Sequence, residues 1–129
     1  MFKVSYNKTP VAGQELTKNV TTRQPNVQFR GAHNHMYTLI MSDPDAPAAD
    51  WLHWLVINND GTNKQEVLPY SPPAPPSGTH RYIFYLCEQS QPIKPLSPKR
   101  ALFDTHNFIK TNKLRIVKQV QFNVRKRNV

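Results

Sequence analysis

Apolar and polar residues alternate in short runs along this chain, as in Phe2-Lys3-Val4-Ser5-Tyr6, and the runs are separated by segments rich in Pro, Asn and Asp. A period of two puts successive side chains on opposite sides of an extended strand. It predicts strands over residues 2–6, 26–30, 36–41, 52–58, 81–88 and 117–124. Asn59-Asp60-Gly61 is a turn signal, because Asn and Asp tolerate tight-turn conformations and Gly allows positive φ. One helix is predicted over 103–112, with Asp104 or Thr105 as its cap and Phe103, Phe108 and Ile109 as its apolar side. Five of the eight residues from Pro69 to Pro76 are proline. This stretch cannot be an interior strand and is expected to be a stiff, extended loop.

The pattern describes one mostly β domain of 129 residues, long enough to bury a core. No apolar run approaches the length of a membrane span, and the first residues enter a strand pattern rather than a signal peptide. The single Cys87 lies within an apolar strand and reads as a small core residue. One cysteine fits a reducing compartment, so a cytoplasmic location is expected.

Charge changes the picture at one end. Residues 94–129 hold ten Lys and Arg against one acid, Asp104, whereas residues 1–93 hold seven of each sign. A basic segment over 113–129, with Lys113, Arg115, Lys118, Arg125, Lys126 and Arg127, would attract an acidic protein or nucleic acid. A docking scaffold working through that segment is one reading of function; a solvated basic face is the plainer one.

The residues with chemistry to offer recur at strand ends. Asp43-Pro44-Asp45-Ala46-Pro47 is followed by Trp51-Leu52-His53-Trp54-Leu55-Val56 and by Gly78-Thr79-His80-Arg81-Tyr82. Alternation points Trp51 and His53 to one side, and His80 and Tyr82 likewise. If these two strands are neighbours, two imidazoles and two aromatic rings form one wall that Asp43 enters from the preceding strand end, with Pro44 and Pro47 stiffening the entry. A carboxylate bonded to an imidazole fixes its tautomer and favours its proton, which suits an anion such as phosphate. Arg81 points to the other face, toward an ion pair with Asp45 or another acid. Two His and an Asp could also hold a metal, but their spacing is long and no Cys assists. No Gly-x-Ser-x-Gly turn supports a hydrolase, and Ser71 and Ser77 sit in the proline-rich loop. No catalytic residues, metal or cofactor are assigned.

These motifs, with Glu88-Gln89 after the third, resemble the hallmarks of the phosphatidylethanolamine-binding protein family. Val4-Ser5-Tyr6, Gly13 to Leu16, Pro25, Tyr37-Thr38-Leu39, Phe103 and Phe108 fall in family order. Trp51 to Val56 and Tyr70 to Arg81 are similar to the florigen-like branch. The resemblance implies a large central antiparallel sheet packed with a smaller one, and an anion pocket at one edge. Its ligand-binding positions here are Asp43, Trp51, His53, Tyr70, Pro75, His80 and Tyr82. Pro44, Asp45, Pro47 and Arg81 are expected to support the pocket, with a cis peptide before Pro47. The implied ligand is a phospholipid head group or phosphorylated small molecule, and the implied role is a non-enzymatic modulator of a kinase or other signalling protein. The loop of three residues between Pro47 and Trp51 is short for the family, and Pro72 and Ala74 replace glycines of animal members. Compact members of this kind occur in bacteria and large DNA viruses, where the cytoplasm would be the host's.

Overall fold

The computed structural model describes residues 1–32 and 34–126. Its elements are β1 (Phe2–Tyr6), β2 (Thr9–Pro10), β3 (Asn26–Phe29), β4 (Met36–Asp43), β5 (Trp51–Asn59), β6 (Gln65–Leu68), β7 (Thr79–Gln89), α1 (Thr105–Thr111) and β8 (Arg115–Arg125). A three-stranded sheet in the order β2-β1-β3 faces a five-stranded antiparallel sheet in the order β6-β5-β4-β7-β8. The mostly β architecture with one helix is the one expected. Two short strands, β2 and β6, add to the reading. Each lies at a sheet edge, with too few buried positions for alternation to show.

The large sheet carries a core on each face, which makes three layers. On one side Val4 and Tyr6 of β1, with Val11 and Leu16, meet Leu39, Met41, Trp54, Val56, Tyr82, Phe84, Phe122 and Val124. On the other side Ile40, Leu52, Leu55, Ile57, Ile83 and Tyr85 are covered by Ile93, Phe108 and Ile109, with Leu96 and Phe103 packed against them. Helix α1 begins at Asp104, whose carboxylate accepts the Asn107 N–H at 2.9 Å and satisfies one of the donors a helix start leaves open. Cys87 is fully buried and its thiol is pushed up to about 12 by burial, so it is a packing residue.

The Asn59-Asp60-Gly61 turn forms as predicted. Gly61 has φ +94, and the Asp60 carboxylate accepts the N–H groups of Thr62 and Asn63. The basic stretch after Lys113 is mainly a sheet strand, β8, which begins two residues earlier than alternation predicts. Arg115 is paired with Glu88 and Arg125 with Glu15; Arg127 lies outside the described residues.

Candidate functional site

The strands carrying His53 and His80 are not neighbours. β4 lies between β5 and β7 and pairs with both. The side chains converge because β4 ends at Asp43, paired to Trp51. A bulge also interrupts the β4–β5 ladder between Met41 and Ser42, where the pairing passes from Trp54 to Leu52 and leaves His53 without a partner. A bulged residue can turn its side chain out of simple alternation. Here His53 shares the small-sheet side with Trp54, and its ring meets Trp51 at 4.5 Å and Tyr82 at 5.2 Å between centroids.

His80 stacks beside Tyr82 at 6.5 Å, and its Nδ1–H donates to Asp43 Oδ2 at 2.7 Å. Asp43 is 3% exposed, and its other oxygen accepts the Asp45 N–H at 2.8 Å, an Asx-type turn that starts the loop. The peptide before Pro47 is trans, contrary to the cis bond expected there; among the described residues the cis peptide joins Ala49 and Asp50. Arg81 points away and grips Asp45 as predicted, through Nε at 3.0 Å, Nη2 at 2.9 Å and its own backbone N–H at 2.8 Å. These bonds hold the Asp45 carboxyl below its ordinary range.

Asp43, Trp51, His53 and Tyr82 line a cavity of about 230 Å3 with Ala46, Pro47, Ser71, Pro72, Ala74 and Pro76. His80 supports it from behind through Asp43. Pro44 stands in the turn but is not a lining residue. Two other expected ligand positions lie elsewhere. The Tyr70 hydroxyl is spent between Tyr6 and the Thr21 carbonyl, at 2.8 and 2.6 Å, and its ring packs on Trp54. Pro75 is buried under the loop, and Pro72, Ala74 and Pro76 line the cavity in its place. Two grooves of about 760 Å3 elsewhere are larger but are lined chiefly by exposed residues of loops and sheet edges.

His53 donates Nδ1–H to the Ser71 carbonyl at 2.6 Å. A carbonyl only accepts, so the proton of the neutral ring is on Nδ1 and Nε2 carries a lone pair. Burial pushes the His53 pKa down, outweighing the Ser71 carbonyl and Asp43, which favour the proton. The Tyr82 side chain is 0% exposed and its hydroxyl makes no hydrogen bond among the described residues, although the Ala74 backbone and Asp43 lie beside it. Burial and the Asp43 charge raise its pKa, so it stays a neutral donor.

Arg100 is the functional neighbour that sequence reasoning missed. Its guanidinium donates to the Leu52, His53 and Pro69 carbonyls and sits 5.5 Å from the centre of the Trp51 ring. It clamps the cavity wall and brings a positive charge behind it. Only its place in a basic, proline-rich stretch hinted at this, and that does not tell which base turns inward. Among the described residues no group of three His, Cys, Asp or Glu stands close enough to share a metal.

The model of the phosphatidylethanolamine-binding protein family matches residues 6–125, nearly the whole chain. The chain belongs to this family. Among curated relatives, Protein TERMINAL FLOWER 1 of Arabidopsis thaliana is 37% identical over 121 residues, covering 83% of this chain and 68% of the relative. CEN-like protein 4 of Nicotiana tabacum is 34% identical over 128 residues, covering 88% and 73%. These relatives accord with the florigen-like character of the motifs. In structure, the chain is similar to a carboxypeptidase Y inhibitor solved with its cognate proteinase, with TM-score 0.83, 19% identity, and 98% of this chain and 83% of that one covered. A phosphatidylethanolamine-binding protein from Plasmodium vivax aligns with TM-score 0.80 and 22% identity over 98% and 85%. At such identities the structures show the shared fold alone.

Proposed function

We propose that this family member is a non-catalytic regulatory module whose cavity at Asp43, Trp51, His53 and Tyr82 holds a phosphate-bearing group, free or on a lipid head, and that it modulates a kinase or other signalling protein. The observation that carries the reading is the Tyr82 hydroxyl, buried at the cavity beside Asp43 yet making no hydrogen bond among the described residues. Leaving such a donor unpaired costs about 1–3 kcal/mol, a cost removed when a ligand oxygen fills the place. His53 Nε2 is the second contact. It can accept from a P–OH group, or take up a proton and donate to a fully ionised oxygen. Trp51, Pro72, Ala74 and Pro76 supply apolar walls for the organic part. A space of about 230 Å3 suits a head group better than a larger organic ligand. A role by occupancy is supported by the set itself, in which the Asp43 carboxylate is committed to His80 and the Asp45 N–H, leaving the Tyr82 hydroxyl and His53 Nε2 to meet a ligand.

Titration calorimetry with inorganic phosphate and with phosphoethanolamine tests this reading. Tyr82→Phe, His53→Gln and His80→Ala should each weaken binding about tenfold or more, as loss of a hydrogen bond to a charged ligand does. Unchanged affinity in all three rejects the site.

A further inference from the structure

β8 is an edge strand of the large sheet. Its outer side is covered over only half its length. There Gly13 N–H donates to the Gln121 carbonyl and Leu16 N–H to the Asn123 carbonyl, each at 2.8 Å, while Asn123 N–H donates to the Gln14 carbonyl at 2.9 Å. Glu15 runs parallel to Asn123, and its carboxylate takes the Arg125 guanidinium at 3.0 Å. The chain itself therefore shows how this edge accepts a strand, through main-chain bonds to alternate residues and an acid set against a β8 base. Gly13, with φ +85, then turns the covering segment away toward β1.

Beyond that point all five residues Arg115 to Gln119 are exposed, including the apolar Ile116 at 38% and Val117 at 43%. Alternation from Gln121 and Asn123 turns the Gln119 N–H and carbonyl outward, and no described residue bonds them. The β7–β8 ladder has a bulge here: Leu86 pairs with Lys118 and Cys87 with Ile116, leaving Val117 as the extra residue of β8. Lys118 makes no ion pair among the described residues.

We propose that the outer edge of β8 from Arg115 to Gln119 docks an extended acidic segment of a partner protein, which adds as a strand in line with the slot that residues 13–16 already fill. Strand addition draws affinity from main-chain bonds and specificity from alternate side chains. Here Ile116 and Val117 are the apolar contacts and Lys118 the charge that selects an acid. A second copy of this chain is the poorer occupant, because the edge from Arg115 to Gln119 carries two bases and no acid to complement them. The opposing reading is that Lys118 and the bulge merely shield an edge from pairing.

The probe is a labelled octapeptide of alternating Glu and Val, with its Lys-Val counterpart as control, followed by fluorescence anisotropy and amide NMR on the full chain. The acidic peptide should bind saturably, shift the amides of residues 115–119 and protect the Gln119 N–H from exchange; the basic peptide should not bind. Gln119→Pro removes the outward donor and should weaken binding about tenfold, as loss of one main-chain bond does. Lys118→Glu, a surface change that leaves the fold intact, should weaken it by a similar factor and restore the basic peptide. No saturable binding at millimolar peptide, amide shifts confined to other surfaces, or affinity unchanged in both variants would overturn the proposal. So would an oligonucleotide that binds more tightly than the peptide and ignores Gln119→Pro.

Discussion

Tyr82 and His53 carry opposite costs in the folded protein, and both can be measured. The Tyr82 hydroxyl is buried without a partner, so Tyr82→Phe should leave stability without ligand unchanged or raise it by up to about 1 kcal/mol in urea denaturation, while phosphate affinity falls. A loss of stability would mean that the hydroxyl is bonded. For His53, burial lowers the folded-state pKa below the ordinary 6.5. Between the two values the unfolded chain binds the extra proton, so stability rises with pH there. The contribution is fully present above about pH 6.5 and is lost as pH falls through the folded value. Urea midpoints should drop on acidification, and His53→Gln should flatten the drop. Sulfate keeps its charge between about pH 5 and 8, so its binding should strengthen as pH falls if the anion draws a proton onto Nε2. The types of these residues and their shared side were legible in the sequence. That the Tyr70 hydroxyl is consumed by Tyr6 and Thr21, and that Arg100 turns in on Trp51, was not, since each depends on a partner more than 45 positions away.

Single bonds decide how two elements are set. Asp104→Ala removes the acceptor for the Asn107 N–H and should cost about 1 kcal/mol in chemical denaturation, with helix α1 fraying first in hydrogen exchange. Asp45 and Arg81 are partners, but their truncations should differ. Arg81→Ala loses an ion pair with its guanidinium about half exposed, worth less than about 1 kcal/mol. Asp45→Ala also strips the acceptor from the Arg81 backbone N–H, and should cost more and loosen the 43–47 loop. Equal losses would show that the side-chain pair is the whole effect. At this scale the strong strands were readable because their burial alternates or runs continuously. β2 and β6 were not, because edge strands of two and four residues have no buried face to impose a pattern.

In the whole molecule the large sheet is a wall between two cores, and Phe84 sits in its middle on the small-sheet side with no exposure. Phe84→Ala should cost about 3–5 kcal/mol, a large part of the stability of a domain this size, and equilibrium unfolding reads it directly. Local composition determined much on its own: period-two alternation, proline-rich loops, the Asn59-Asp60-Gly61 turn and the Asp43, His53 and His80 motifs all follow from what neighbouring residues permit. Tertiary structure decided the rest. Strand order interposed β4 between the two histidine strands, a bulge aimed His53 at Tyr82, and the segment at 13–16 covered half of the β8 edge and left half open. Each of these depends on which distant strand pairs with which and in what register, and no stretch of sequence contains that information by itself.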